Sequence, residues 1–276
     1  MERVVLGHDG SPAAEAALEW AAERARSRRT EIEVVLVTNM FLSDRQEADR
    51  ILDGAARRWH ALVPDAPADV TRLDGLMPAA LTDAARGADL LVLGVHPGFR
   101  TRTMLTGWVP PRVAAQSRIP TALVPTGWSA TDDPVTVGVD DDDSSSAALL
   151  FAAAAASARR VPLRVVHSWL MRTSGSRGTA EPGRSPRDVA AAHERVLEAA
   201  VARVRELHPD VAVVTELVRD NPTSALTRVA DRSSDVVIGT HGRGVVAGAF
   251  LGSIGLDLIG TLHRPICVVP HTRPPV

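Results

Sequence analysis

The residues best equipped for chemistry lie near the C-terminus: Gly239-Thr240-His241-Gly242, a spacer of nine residues, then Gly252-Ser253. Glycines let a backbone approach a ligand closely and reach positive φ, and a serine hydroxyl adds a donor. Main-chain N–H groups presented this way, with a helix starting behind them, are the chemistry that holds a phosphate. The order differs from a P-loop, because no lysine follows the last glycine, and from the G-x-G-x-x-G fingerprint. Taken singly, Gly239 and Gly242 also fit an ordinary turn. A second group of interest is Asp140-Asp141-Asp142-Asp143. Asp140 can accept hydrogen bonds from ribose hydroxyls or cap a helix, and Asp143 or Ser144 could be the cap instead. The four carboxylates would repel a triphosphate unless a cation or distance intervenes. They can ligate Mg²⁺ through oxygen, or complement the dipole at a helix start. His241 and Arg243 can touch a phosphate or face solvent, whereas His167, at a strand end, reads as a satisfied core histidine. Ser253 has no neighbouring base to activate it as a nucleophile, and no His/Cys cluster has metal-ligand spacing.

These residues need elements to position them. The apolar run Asp235-Val236-Val237-Ile238 reads as a strand leading into Gly239, and Ile254-Gly255-Leu256-Asp257-Leu258-Ile259 as the helix that Gly252-Ser253 opens. The same order of elements is written twice. Val4-Val5-Leu6-Gly7-His8-Asp9 and its Ala-rich sequel answer Val135-Thr136-Val137-Gly138-Val139-Asp140 and Ala147 to Ala158. Strands at Ile32–Thr38 and Leu163–Ser168 follow. Ala88 to Gly94 answers Ser234 to Gly239, and Ile119 to Pro125 answers Arg264 to Pro270. The polar, turn-rich stretch from Thr126 to Pro134 is the seam. Within a copy, strands alternate with helical stretches, the second helix of the later copy running from about Asp188 to Leu207. Short, nearly continuous apolar strands suit a parallel sheet covered on both faces, with right-handed crossovers. Such sheets bind ligands outside the carboxyl ends of the strands, where strand order reverses. The Asp140 turn and the Gly239 loop both stand at such ends. Met171 to Arg187 fits no periodic element and reads as a loop, either a lid or a solvated insertion.

Composition narrows the classes of function. Of 276 residues, 45% are hydrophobic and 23% charged, which suits a globular chain with one large or two ordinary domains. A net charge of −2 provides no basic field for nucleic acid, and 3% aromatics without a tyrosine leave few stacking platforms. The single Cys267 excludes a disulfide scaffold and suits a reducing cytoplasm. Within Ile266-Cys267-Val268-Val269 it reads as a small buried residue, with a reactive thiol as the other reading. The start of the chain reads as a strand without a signal-peptide pattern, and no apolar run has membrane-spanning length. The expectation is a cytoplasmic protein that engages neither nucleic acid nor membrane.

The spacing G-x2-G-x9-G-[ST], set in this repeat, resembles the universal stress protein family, and the whole chain looks like a tandem member of it. The resemblance implies an α/β fold: two flavodoxin-like, adenine-nucleotide alpha-hydrolase-like domains at 1–128 and 134–276, each a five-stranded parallel sheet sandwiched by helices. It further implies that ATP, with or without Mg²⁺, is the ligand. By position, Asp140 then approaches the ribose, and Gly138 and Val139 line the adenine slot. Ser168 brings second-strand backbone to the base. Ile238, Gly239, Gly242, Gly252 and Ser253 form the phosphate loop, which Ile254 and Gly255 continue.

The first copy departs from this pattern. Gly7, Asp9 and Gly94 remain, but Gly94-Val95-His96-Pro97 is followed after nine residues by Gly107-Trp108. Proline has no N–H to offer, and tryptophan puts a large ring where a serine hydroxyl would stand. ATP is therefore expected to be held by the second copy, with a degenerate first site. The leading reading is an ATP-binding regulatory protein of the stress response, capable at most of slow hydrolysis, whose liganded state an unidentified protein partner reads. The alternatives are a nucleotide-free dimerising interaction module and an enzyme that uses the crevice. In the family, terminal strands mediate dimerisation, so Thr121–Val124 and Ile266–Val269 are expected to pair between copies, between chains in a homodimer, or both.

Overall fold

The computed structural model describes residues 1–38, 45–96, 109–140, 145–170, 186–240, 252–261 and 263–271, without the side chains of residues 186 and 252–254. Gly107, Trp108, Pro97, Asp141, Asp142, Asp143, His241, Gly242, Arg243 and residues 171–185 of the expected loop lie outside the described residues.

The first half runs β1 (Glu2–Gly7), α1 (Pro12–Ser27), β2 (Thr30–Thr38), α2 (Arg45–Leu62), β3 (Ala68–Asp74), α3 (Ala79–Ala84), β4 (Leu90–Val95), α4 (Val109–Gln116) and β5 (Thr121–Pro125). The second repeats the order: β6 (Val135–Val139), α5 (Ser146–Arg159), β7 (Leu163–Ser168), α6 (Pro186–Leu207), β8 (Val213–Val218), α7 (Pro222–Ala230), β9 (Asp235–Gly239), α8 (Gly252–Thr261) and β10 (Ile266–Val269). Local chemistry sets several boundaries. Ser11 caps α1 by accepting from the Ala14 N–H, with Pro12 in the first turn, and Asn221 and Pro222 open α7 in the same way. α6 starts at Pro186 rather than Asp188, because the missing N–H of proline is no loss in a first turn. At the end of α5, Arg160 takes the left-handed conformation at φ 56°, where glycine is usual.

Strand order is β3-β2-β1-β4-β5-β10-β9-β6-β7-β8 in one ten-stranded sheet. Pairing within each half is parallel, while β5 and β10 pair antiparallel, with Ile266 opposite Leu123 and Val268 opposite Thr121. The two expected five-stranded sheets are thus fused edge to edge within the chain. Pairing exposed edges satisfies N–H and C=O groups that would otherwise template association. α1, α2, α5 and α6 cover one face, and α3, α4, α7 and α8 the other; each apolar core continues through both halves. The central strands β4, β5, β9 and β10 are buried almost throughout, as a doubly covered sheet requires.

The seam carries a polar lock that breaks the internal symmetry. Register pairs Val4 with Leu90 in the first half and Val135 with Asp235 in the second, so a carboxylate stands where the first half has a fully buried leucine. Asp235 is 5% exposed. Trp20 Nε1–H of the first half donates to its Oδ1 at 2.8 Å, and Arg159 meets its Oδ2 at 2.6 Å. Arg159 also donates to the Thr131 carbonyl of the seam at 2.7 Å. Counting from Asp9 and Asp140, the position of Trp20 corresponds to Phe151, which has no donor. Instead the Arg24 guanidinium lies 5.3 Å from the Phe151 ring centre while holding Glu2 through two bonds of 2.9 and 3.0 Å. Cys267, in β10, is buried here, and burial pushes its thiol pKa up, which leaves it inert as a nucleophile.

Candidate functional site

In the second half the strand order reverses between β6 and β9, which are neighbours: β6 leads through α5 to β7 on one side, and β9 lies on the other. Their carboxyl ends bring Gly138, Val139 and Asp140 beside Ile238 and Gly239, the arrangement expected at a switch point. The position of Gly138 is tight, since a Cβ there would stand 3.2 Å from Leu226 Cδ1. Past Gly239 the chain is pinned to β10: Thr240 N–H donates to the Val269 carbonyl at 3.0 Å, and the Thr240 hydroxyl accepts from His271 N–H at 3.0 Å. Gly252, Ser253, Ile254 and Gly255 form the first turn of α8, which Leu258 and Ile259 anchor in the core. Gly242 falls outside the described residues, so the loop expected to hold a phosphate is described only at its two ends.

Asp140 is not a helix cap. α5 begins at Ser146 with Ser145 before it, and the Ser145 hydroxyl accepts from Asp140 N–H at 3.1 Å. The turn carrying Asp140 is also tied from beneath. His167, 1% exposed, has Nδ1 at 2.9 Å from the Val139 carbonyl, an oxygen that can only accept, so Nδ1 carries the proton. Its Nε2 lies 2.8 Å from His193 Nδ1 on α6, and the pair shares one hydrogen bond. The His193 ring stacks on Trp169 with centres 5.0 Å apart, and Arg219 sits 5.7 Å over the other ring of that pair, Trp169. His167 is thus the satisfied core histidine expected. His193 and Trp169 were not singled out from the sequence; nothing in the spacing of α6 and β7 signals that they meet. Ser168 ends β7 opposite Val218, one strand away from Val139.

In the first half, Gly7, Asp9 and Gly94 gather at the ends of β1 and β4, around a cavity of about 230 Å³. Val35, Val37, Leu81 and Leu93 supply apolar walls. Asp9 Oδ1 accepts from Ser11 N–H at 3.0 Å, within a turn that needs Gly10 at φ +79°. Gly94 has a packing role: a Cβ would stand 2.1 Å from the Ala13 carbonyl carbon and oxygen, so glycine lets α1 meet β4. His8, also passed over in the sequence, is buried against α1. Its Nδ1 accepts from Gly10 N–H at 3.2 Å, and Nε2 lies 3.4 Å from Glu15 Oε1 without the alignment a hydrogen bond needs. Burial lowers its pKa, with Glu15 and Asp9 opposing more weakly, which keeps the imidazole neutral.

Among the described residues no group of three or more His, Cys, Asp or Glu side chains is placed to hold a metal ion, and Asp141–Asp143 lie outside them. No described helix is long and apolar enough to cross a membrane.

Fold and sequence together define a class: a tandem α/β protein with a glycine near the carboxyl end of β4 and at that of β9, whose G-x2-G-x9-G-[ST] spacing is complete in sequence only in the second half. The chain belongs to the universal stress protein family, whose sequence profile matches residues 1–125 and again 133–270. A universal stress protein of Mycobacterium tuberculosis is 28% identical over 288 residues, spanning 96% of this chain and 95% of the relative. Among solved structures, a universal stress protein from Archaeoglobus fulgidus is similar over 98% of both chains, at 18% identity and a TM-score of 0.69. The cytoplasmic domain of a prokaryotic cation chloride cotransporter shares the fold over 97% of this chain and 94% of its own, at 13% identity and a TM-score of 0.55.

Proposed function

We propose that this chain is an ATP-binding regulatory protein of the stress response, with the nucleotide held in the crevice of its second half. One observation carries the reading: β6 and β9 are neighbours at a strand-order reversal, so Asp140 and the start of the Gly239 loop leave the sheet side by side. Main-chain amides of the Gly239–Gly242 loop and of the turn opened by Gly252 and Ser253 hold the phosphates, backed by the positive end of α8. The Asp140 carboxylate accepts from ribose hydroxyls, and Gly138, Val139 and Ser168 line the base. The absence of a side chain at Gly239 suits close approach by phosphate oxygens. Mg²⁺, where it accompanies the nucleotide, would be held by the carboxylates that start at Asp140 and would neutralise phosphate charge.

ATP acts here as a ligand. Binding stabilises the liganded form by mass action, and a protein partner in the cytoplasm reads that form. Turnover, if measured, would be slow, since no described residue in the crevice is positioned to activate a water. The dimerising alternative expected the terminal strands to join chains. β5 and β10 already satisfy each other, so a homodimer must use another surface.

Titration calorimetry with ATP on the full chain tests the proposal. One equivalent should bind, and Gly252→Val should weaken it roughly tenfold or more, as loss of one charge-assisted hydrogen bond of about 1.5–3 kcal/mol implies. Unchanged affinity in Gly252→Val, or no binding by the unaltered chain, would refute it.

A further inference from the structure

The structure assigns a second ligand site to the junction of the two halves: a half-open pocket where α1, α5 and the seam meet takes a free amino acid, a zwitterion with an uncharged side chain. The pocket holds about 590 Å³, within the ~300–1,000 Å³ range of small-molecule pockets. Its walls come from the C-terminal ends of α1 and α5 and from the seam at Thr131 and Asp132. Asp9 and Asp140 stand before the opposite ends of these helices, which at 16 and 14 residues and roughly 1.5 Å per residue are about 20 Å long. The pocket is therefore separate from both crevices, and its use does not depend on the reading of the second half.

The charged side chains in its lining are Glu23, Arg26, Asp132, Arg159 and Arg160. Arg26 meets Glu23 at 2.6 Å, and Arg159 meets Asp235 at 2.6 Å while donating to the Thr131 carbonyl. Nearby, Arg28 turns to Glu2 and the Ala154 carbonyl, and Asp133 faces Arg264 at 3.9 Å. That leaves Arg160 and Asp132, whose side chains have no partner among the described residues and do not pair with each other. A lone guanidinium and a lone carboxylate facing one space match the two ends of a zwitterion. Arg160 grips the ligand carboxylate through parallel N–H donors, and Asp132 accepts from the ligand ammonium. The carbonyl ends of α1 and α5 converge here, and their partial negative charge favours the ammonium as well. The other charges cancel in pairs, so a charged ligand side chain would meet no counter-charge. Ser27 gives its hydroxyl proton to the Arg24 carbonyl, which leaves its Oγ as an acceptor for a neutral polar side chain. The backbone adds an independent observation. Arg160 stands at φ 56°, where glycine would fit without strain, so the fold alone does not call for an arginine.

The probes are the proteinogenic amino acids, each added free to the full chain. One with an uncharged side chain should raise the thermal unfolding midpoint most, and titration calorimetry with it should give one equivalent per chain. Its N-acetyl and α-amide derivatives, which lack the ammonium and the carboxylate respectively, should each bind about tenfold more weakly or worse. Asp132→Asn should weaken binding of the free amino acid about tenfold or more. Arg160→Gly should do the same while leaving the midpoint without ligand unchanged or raised, because glycine relieves the left-handed backbone. Arg160→Gln, which keeps that backbone strain, should lose binding to the same degree. No midpoint shift with any amino acid, preference for a charged side chain, equal binding of either blocked derivative, or binding unaffected by these substitutions would overturn the proposal. So would displacement by ATP, which would put the ligand in a crevice. Gly252→Val should leave amino-acid binding intact, so failure here and failure of the second-half reading are distinguishable.

Discussion

Two crevices built on the same strand order part company in what surrounds their glycines. In the second half, Gly138 is merely snug against a leucine side chain, and Gly239 opens a loop whose sequence continues to Gly242 and Gly252. In the first half, Gly94 is required by backbone packing, with Ala13 atoms 2.1 Å from where a Cβ would be. A glycine retained in a repeat is thus no sign of retained ligand chemistry. It can persist because the fold has no room for a side chain.

The comparison can be broken most forcefully at Gly94. Gly94→Ala should destabilise the chain by about 3 kcal/mol or more, because the obstructing atoms are backbone and cannot rotate away. Urea unfolding monitored by circular dichroism reads this directly, and a near-neutral result would return Gly94 to a ligand role. Next comes the seam. Trp20→Phe leaves Asp235 one donor short in a buried place, at a cost of about 1–3 kcal/mol. Combining it with Asp235→Leu, which recreates the first-half pattern, should give a non-additive cycle in the same unfolding measurement. Additive effects would mean that the two side chains act independently.

The corresponding glycines of β1 and β6 sharpen the contrast further. A Cβ on Gly7 meets Leu93 Cδ2 at 2.5 Å, whereas one on Gly138 meets Leu226 Cδ1 at 3.2 Å. Gly7→Ala should therefore cost about 1–3 kcal/mol and Gly138→Ala about 1 kcal/mol or less, since a side-chain tip can give way by a few tenths of an ångström. Equal losses in thermal unfolding would contradict the packing difference. The smallest expected effect concerns pH. Burial holds His8 below its ordinary pKa, so below about pH 6.5 the unfolded chain takes up a proton that the folded one refuses. Stability is full above that value and falls as pH drops toward the folded pKa. His8→Asn, whose Oδ1 can still accept from Gly10 N–H, should flatten this limb in unfolding midpoints measured from about pH 7 down to about pH 5. An unchanged slope would show that other groups dominate it.

Much of the architecture was legible because its signals are local. Apolar runs between turn residues marked the strands, Ser11-Pro12 and Asn221-Pro222 marked helix starts, and the doubled order of elements marked two halves. The glycine spacing identified the crevice of the second half, and the proline and tryptophan of the first half marked its departure. His8, His193 and Trp169 were passed over for a common reason: each matters through a residue on another element. The lock at Asp235 was equally hidden. In sequence it is the polar start of a strand, and only register shows that it replaces Leu90 beneath the other half's Trp20.

Periodicity, turn chemistry and repetition depend on neighbours a few residues apart, and they suffice to specify the elements, their order and the family of this chain. Which edges join, which glycines serve packing, and where a buried carboxylate finds its donors depend on atoms brought together across the sheet. Those choices arise when β5 meets β10 and α1 closes over β4, because only then does the chain's own backbone determine the space and the hydrogen-bond partners that each side chain is left with.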